Sequence, residues 1–201
     1  MLSQIAFSVL DLAPIREGQN VQQTLETSLA QAQHVEQLGF TRYWLAEHHN
    51  MDGIACSATA LLISYIAQGT TQIRVGSGGI MLPNHAPLIV AEQFGTLEAL
   101  YPNRIDLGIG RAPGSDPYTS HALRRGIDTA AQFPQDLAEV QRLLGPKQPS
   151  ARVHATPGTD SNVPVWLLGS SLYSAQLAGM KGLPYAFAAH FAPQQLDEAL
   201  S

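Results

Sequence analysis

The sequence predicts an α/β fold built on a parallel sheet, and three observations carry that prediction. Short runs rich in Val, Ile and Leu recur along the chain, segments of helical period lie between them, and most connections are only a few residues long. Near-continuous apolarity marks strands covered on both faces, and strand–helix alternation with short connections marks the crossover units of such sheets.

The elements follow in order. Residues 5–10 form the first strand, and Asn20 caps a helix through Leu38, with Leu25, Leu29, Ala32, Val35 and Leu38 on one face and Gly39 as its stop. The second strand spans 43–46, and Ser57 caps a helix to about Gln68, with Gly69 after it. The third strand spans 73–76; Pro87 suits the first turn of a helix that reaches Leu100 ahead of Pro102. After a fourth strand at 105–109 comes a long connection, 111–162, with a helix from Pro134 to Leu144–Gly145. Its Pro/Gly/Ser/Thr-rich piece, 145–162, reads as surface loop. A fifth strand at 165–168, a helix at 172–181, a sixth strand at 185–189 and the opening of a sixth helix at 193–201 complete the chain. Six strands and 201 residues leave two architectures open: an open doubly wound sheet, or a (β/α)8 barrel lacking its last quarter, since the full barrel takes eight strands and about 250 residues.

Composition narrows the function classes. Only 13% of the residues are charged, against roughly 25% in an ordinary soluble chain, so much of the surface is expected to lie in a core or against another subunit. A net charge of −5 with no Lys/Arg run argues against nucleic acid or an anionic membrane as partner. Cys56 is the single cysteine, which excludes an internal disulfide or a cysteine zinc cluster. The apolar runs are too short to span a membrane, and residues 1–10 lack a signal peptide's basic start and cleavage site. A single cytoplasmic domain over 1–201 is the expectation.

In parallel α/β folds the working residues sit just past the carboxyl ends of the strands. Those positions hold Glu47-His48-His49, then Gly76-Ser77-Gly78-Gly79 with Met81-Leu82-Pro83, then Gly108-Ile109-Gly110-Arg111, Gly169-Ser170-Ser171 and His190. Small residues at several strand ends suit close approach of a flat or bulky ligand. Gly169-Ser170-Ser171 opens a helix whose next hydroxyls are Tyr173 and Ser174, and with Arg111 as countercharge this set suits a phosphate. Glu47-His48-His49 is open to three readings: plain loop residues, metal ligands, or proton-transfer chemistry on a bound ligand. His48, His49, His85, His121 and His190 contain no H-x-H or H-x-x-x-H spacing, so no metal site is expected. Cys56 and the Tyr43-Trp44 pair read as core, and no G-x-G-x-x-G opens a helix across 109–114, against a Rossmann domain.

Several long motifs stand in one order: Trp44-Leu45-Ala46-Glu47-His48-His49, Val75-Gly76-Ser77-Gly78-Gly79-Ile80-Met81-Leu82-Pro83, Val90-Ala91-Glu92-Gln93, Arg104-Ile105-Asp106-Leu107-Gly108-Ile109-Gly110-Arg111, Pro164-Val165-Trp166-Leu167-Leu168-Gly169-Ser170-Ser171 and Gly182-Leu183-Pro184-Tyr185-Ala186-Phe187-Ala188. In them the chain resembles the bacterial luciferase-like flavin-dependent monooxygenases, and most of all their uncharacterised paralogues. The resemblance implies a (β/α)8 TIM-type barrel with FMN at its carboxyl face; reduced FMN, delivered by a separate reductase, would react with O2 to oxygenate a small organic substrate, aldehyde-like or other. It implies that Arg111, Ser170, Ser171 and Ser174, at the Gly169 turn, hold the phosphate. It also places Gly78 and Gly79 against the isoalloxazine, where the family often has a non-prolyl cis peptide. His48 would stabilise or protonate the oxygenated flavin, with Glu47 and Phe7 lining the same pocket. Relatives continue into a seventh and an eighth strand, so the expectation here is a barrel lacking its last two strands, with unpaired edges covered by homo-oligomerisation, a dimer first. A flavin-binding or vestigial protein without turnover is the alternative function, and a metal-dependent barrel hydrolase the weaker third.

Overall fold

Six parallel strands, each next to its sequence neighbour, order the structure, a computed structural model that describes residues 5–111, 116–123 and 131–201. They are β1 (Ser8–Asp11), β2 (Arg42–Leu45), β3 (Arg74–Met81), β4 (Ile105–Gly110), β5 (Val165–Gly169) and β6 (Tyr185–Phe187). The helices are α1 (Val21–Gln37), α2 (Thr59–Gln68), α3 (Pro87–Leu100), α4 (Pro117–Ala122), α5 (Phe133–Leu144), α6 (Leu172–Lys181) and α7 (Leu196–Leu200). Strand order β1-β2-β3-β4-β5-β6 with every pair parallel is the progression of a (β/α)8 barrel, in contrast to a doubly wound sheet, whose strand order reverses. β1 and β6 are the outer strands of the six.

The buried side chains separate into two layers by strand alternation. Tyr43, Leu45, Val75, Ser77, Ile105, Leu107, Ile109, Val165 and Leu167 face the helices, where Ile63, Ile66, Phe94, Leu97, Leu137, Val140 and Leu177 meet them. The opposite face carries a buried ion cluster near the amino ends. Register sets Arg42 beside Arg74 and Gly76 beside Asp106. Asp106, fully buried, accepts from Arg42 Nε at 3.0 Å, Arg74 Nη2 at 2.6 Å and Trp44 Nε1 at 3.2 Å. One carboxylate thereby ties three adjacent strands together.

Several boundaries differ from expectation, each for a local reason. β1 starts at Ser8, leaving Phe7 ahead of it. Asn20 forms the expected cap of α1, a full capping box with Gln23, but Leu38 is the C-cap beyond the last turn and is exposed. α2 begins at Thr59, with Ala58 as N-cap, because the Thr59 hydroxyl bonds the Ala46 and Cys56 carbonyls and Ser57 makes no cap. β3 runs on to Met81 through a register shift between Ser77 and Ile80, so Gly78 and Gly79 lie inside the strand, and their shared peptide is cis. β6 ends at Phe187.

The long connection holds two surprises. α4 is an added helix, capped by Asp116, which accepts from the Tyr118 and Thr119 amides. Residues 145–162 are more than a surface loop: Ala155 is fully buried, and the Gly158 backbone lies against Ala91 and Gly95 of α3. Gly114 of the 109–114 stretch and residues 1–4 lie outside the described residues. No helix among the described residues is long and apolar enough to cross a membrane.

Candidate active site at the carboxyl ends of the strands

A cavity of about 540 Å³ opens at the carboxyl ends of the strands, where the sequence reading placed the chemistry. Leu10, Trp44, Gly78, Gly110, Leu168 and Ala186 form its inner wall, contributed by six different strands. His48, Gly79, Arg111, Gly169, Ser170, Ser171 and Ser174 also line it, as do Glu47 and His190. Of the expected site residues, Phe7 alone is not in the lining. Its carbonyl accepts from Thr41 at the start of β2, and its ring packs on Phe40 with centroids 5.8 Å apart. That is the amino end of the sheet, out of reach of the carboxyl face.

Along the residues after β2, alternation sends neighbouring side chains in opposite directions. Glu47, almost completely buried, turns its carboxylate toward the end of β3. Its Oε2 accepts from the Met81 amide at 2.9 Å, and its Oε1 accepts from His49 Nε2 at 2.7 Å and His85 Nε2 at 2.8 Å. Burial raises the Glu47 pKa, but the bonds from His85, His49 and Met81 override it and hold the carboxyl below its ordinary value. An ionised carboxylate only accepts, so both imidazoles present Nε2–H to it. Glu47 lines the cavity with both carboxylate oxygens already occupied by these three donors, an arrangement suited to positioning.

The same three side chains bring potential metal-ligand atoms within 4.8 Å of one another. Their N···O separations of 2.7 and 2.8 Å are hydrogen-bond lengths. Two ligands on a tetrahedral zinc ion stand farther apart, about 3.3 Å for bonds of about 2.05 Å. The geometry is that of a hydrogen-bonded triad. His85 is the residue that spacing could not assign to it, because it arrives from the separate 3-10 turn after β3.

His48 points to the cavity between these two tethered neighbours. Burial lowers its pKa, the Glu47 charge opposes that shift, and His49 adds to it. The result is a neutral imidazole at neutral pH. Cys56, by contrast, is buried, and its thiol is pushed up to about 11, which fits the expected core role. Trp44 belongs to the core as expected and also lines the cavity.

The opposite side of the cavity is polar. Ser171 is the N-cap of α6 but makes no side-chain capping bond, so its hydroxyl and the first amides of the helix face the cavity mouth without that internal partner. Ser174, on the first turn, packs against Gly169 so closely that a Cβ at Gly169 would overlap it. Tyr185 of β6 donates its hydroxyl to the Gly169 carbonyl at 3.2 Å and the Ser171 carbonyl at 3.4 Å, a support that the sequence motifs did not reveal. Arg111 closes the set from the end of β4, its guanidinium carbon over the Tyr173 ring, 4.2 Å from the centroid. These donors suit a phosphate group. Gly110 leaves room beside them: a Cβ there would meet nothing closer than the Ile80 carbonyl oxygen at 4.0 Å.

The chain is similar to known proteins over nearly its whole length. The sequence profile of luciferase-like monooxygenases matches residues 5–201. A luciferase-like monooxygenase of Escherichia coli (strain K12) is 57% identical over 197 residues, 98% of this chain and 59% of its own length. Among solved structures, apo-MsnO8 superposes with a TM-score of 0.90 at 40% identity, covering 98% of this chain and 59% of that one. The oxygenating constituent of 3,6-diketocamphane monooxygenase from the CAM plasmid of Pseudomonas putida, in complex with FMN, gives 0.73 at 18% identity, covering 90% and 56%. An F420-dependent secondary alcohol dehydrogenase gives 0.62 at 18%, covering 87% and 55%. At these last identities the likeness is one of fold. The chain spans about three-fifths of the length of the relatives it matches.

Proposed function

The chain belongs to the luciferase-like monooxygenase family, and from that premise we propose that it binds FMN in the strand-end cavity and oxygenates a small organic substrate. The observation that carries this reading is the convergence of a phosphate-type donor set and a side-chain-poor, otherwise apolar wall in one cavity. Arg111, Ser170, Ser171 and Ser174, with the amino end of α6, hold the phosphate. Gly78, Gly79 and Gly110, all in the cavity lining, leave the wall low enough for the flat ring system, while Leu10, Trp44, Leu168, Ala186 and Phe187 keep water from it. Bound there in reduced form, supplied by a separate reductase, FMN would furnish the two electrons with which one atom of O2 enters the substrate and the other leaves, with two protons, as water. His48 is the catalytic residue of the chain. Neutral at pH 7, it holds a proton on one ring nitrogen and accepts one on the other. Glu47, with His49 and His85, fixes the backbone that carries it. The proposal includes a homo-oligomer, supported by the low charged fraction and the half-exposed Phe7.

Titration with FMN tests the cofactor. Quenching of flavin fluorescence is expected, and Arg111→Ala should weaken binding by about 1.5–3 kcal/mol, the scale of a charge-assisted hydrogen bond. Absence of binding to oxidised and reduced FMN overturns the reading, as does tight binding of coenzyme F420 in its place. Unchanged affinity in Arg111→Ala moves the phosphate elsewhere. Turnover is then tested with reduced FMN, O2 and an aldehyde, following incorporation of labelled oxygen by mass spectrometry. Flavin binding with no oxygenated product from aldehydes, ketones or thioethers would leave a flavin-binding protein.

A further inference from the structure

Arg111 is held differently from Arg42, Arg74, Arg104 and Arg142: Arg42 also lies over an aromatic ring, Trp166 at 4.8 Å, but it gives its Nε to Asp106 as well. Arg42 and Arg74 pair with Asp106, Arg142 pairs with Glu139, and Arg104 donates to the Ile73, Ala67 and Thr70 carbonyls. Each of these guanidinium groups uses its in-plane N–H donors within the protein. Arg111 instead sets its guanidinium carbon over the Tyr173 ring, 4.2 Å from the centroid, and no carboxylate pairs with it among the described residues.

The difference has a chemical consequence. A guanidinium carries its five N–H groups in its plane and offers its face to an aromatic ring. A carboxylate partner would orient Arg111, but it would occupy those donors and cancel the charge that an anion needs. A ring orients the group while leaving charge and donors intact. Tyr173 also sits on the first turn of α6, between the N-cap Ser171 and the buried Ser174, so the ring and the hydroxyls move as one element. Behind them the Tyr185 hydroxyl grips the Gly169 and Ser171 carbonyls.

We infer that Tyr173 is a positioning residue for anion recognition: its ring is the shelf that holds the Arg111 guanidinium open toward the phosphate of the cofactor. The inference rests on the FMN reading and deepens it, because it makes Tyr173 a determinant of selectivity for a phosphorylated flavin over an unphosphorylated one. Its contribution acts on the phosphate alone.

Paired titrations with FMN and riboflavin, which lacks the phosphate, test this in the full chain. In wild-type protein FMN should bind more tightly than riboflavin. Tyr173→Leu, which keeps apolar bulk but removes the ring, should weaken FMN about fivefold, the scale of a partly exposed cation–π contact, and leave riboflavin unchanged. Tyr173→Phe, which keeps the ring, should retain the wild-type ratio. The side chain is 38% exposed, so these variants are expected to fold, and a thermal melt checks it. A wild-type ratio in Tyr173→Leu overturns the role of Tyr173 while sparing the FMN site. An equal loss in Tyr173→Phe also overturns it, by assigning the effect to the hydroxyl. Wild-type protein that binds FMN no better than riboflavin, or binds neither, overturns the phosphate reading and the inference together.

Discussion

The His48 imidazole lies on the cavity wall with its pKa pushed down by burial, the Glu47 charge only partly offsetting the shift. The sign of the resulting pH dependence follows by linkage. An unfolded chain takes up this proton near the ordinary value of about 6.5, whereas the folded chain takes it up only at lower pH. His48 therefore contributes stability that is present above about pH 6.5 and is lost as pH falls from there through its folded pKa. Urea midpoints measured between pH 7.5 and 5.5 should fall with acidification, and His48→Gln should flatten that part of the profile. Parallel profiles for the two proteins would contradict the burial argument. At this scale the sequence was informative about residue types and weak about directions. Glu47, His48 and His49 stand together in the sequence, yet Glu47 accepts from His49 and from His85, thirty-eight residues beyond it, while His48 turns to the cavity.

Among the elements, α3 and the turn at 155–158 show how local propensity is overruled by packing. Gly95 sits inside α3, where alanine would be favoured by about 1 kcal/mol on propensity alone. A Cβ there would overlap the Gly158 backbone, which has no flexible side chain to move aside. Overpacking of that kind costs about 1–3 kcal/mol, so Gly95→Ala is expected to lower the urea midpoint in spite of its better helix propensity. A raised midpoint would show that the turn yields. Periodicity located α1, α3, α5 and α6, and the Asn20 cap of α1 was readable because a capping box is encoded within four residues. The true start of α2 was not, since Thr59 is fixed by the Ala46 carbonyl, thirteen residues away. β3 extends beyond its apolar run for a similar reason: Ile80 and Met81 pair with Ile109 and Gly110 after the register shift.

For the molecule as a whole, the low charge bears on assembly. Only 13% of the residues are charged and Phe7 lies half exposed, a surface that favours association, so light scattering at micromolar concentration is expected to report a homo-oligomer; a monodisperse monomer would remove that part of the proposal. The sequence by itself determined the class of fold, the order of its strands along the chain and the positions where chemistry collects. Those properties follow from apolar runs, caps and the rule that strand ends carry function, all of which act over short stretches. Tertiary structure alone decided which of those positions share a cavity. It removed Phe7 to the amino end, turned Glu47 into an anchor for His49 and His85, and placed the Tyr173 ring under Arg111. Such pairings join residues from separate crossover units, and the sheet register that brings them together is set by packing across the whole core, which no local pattern records.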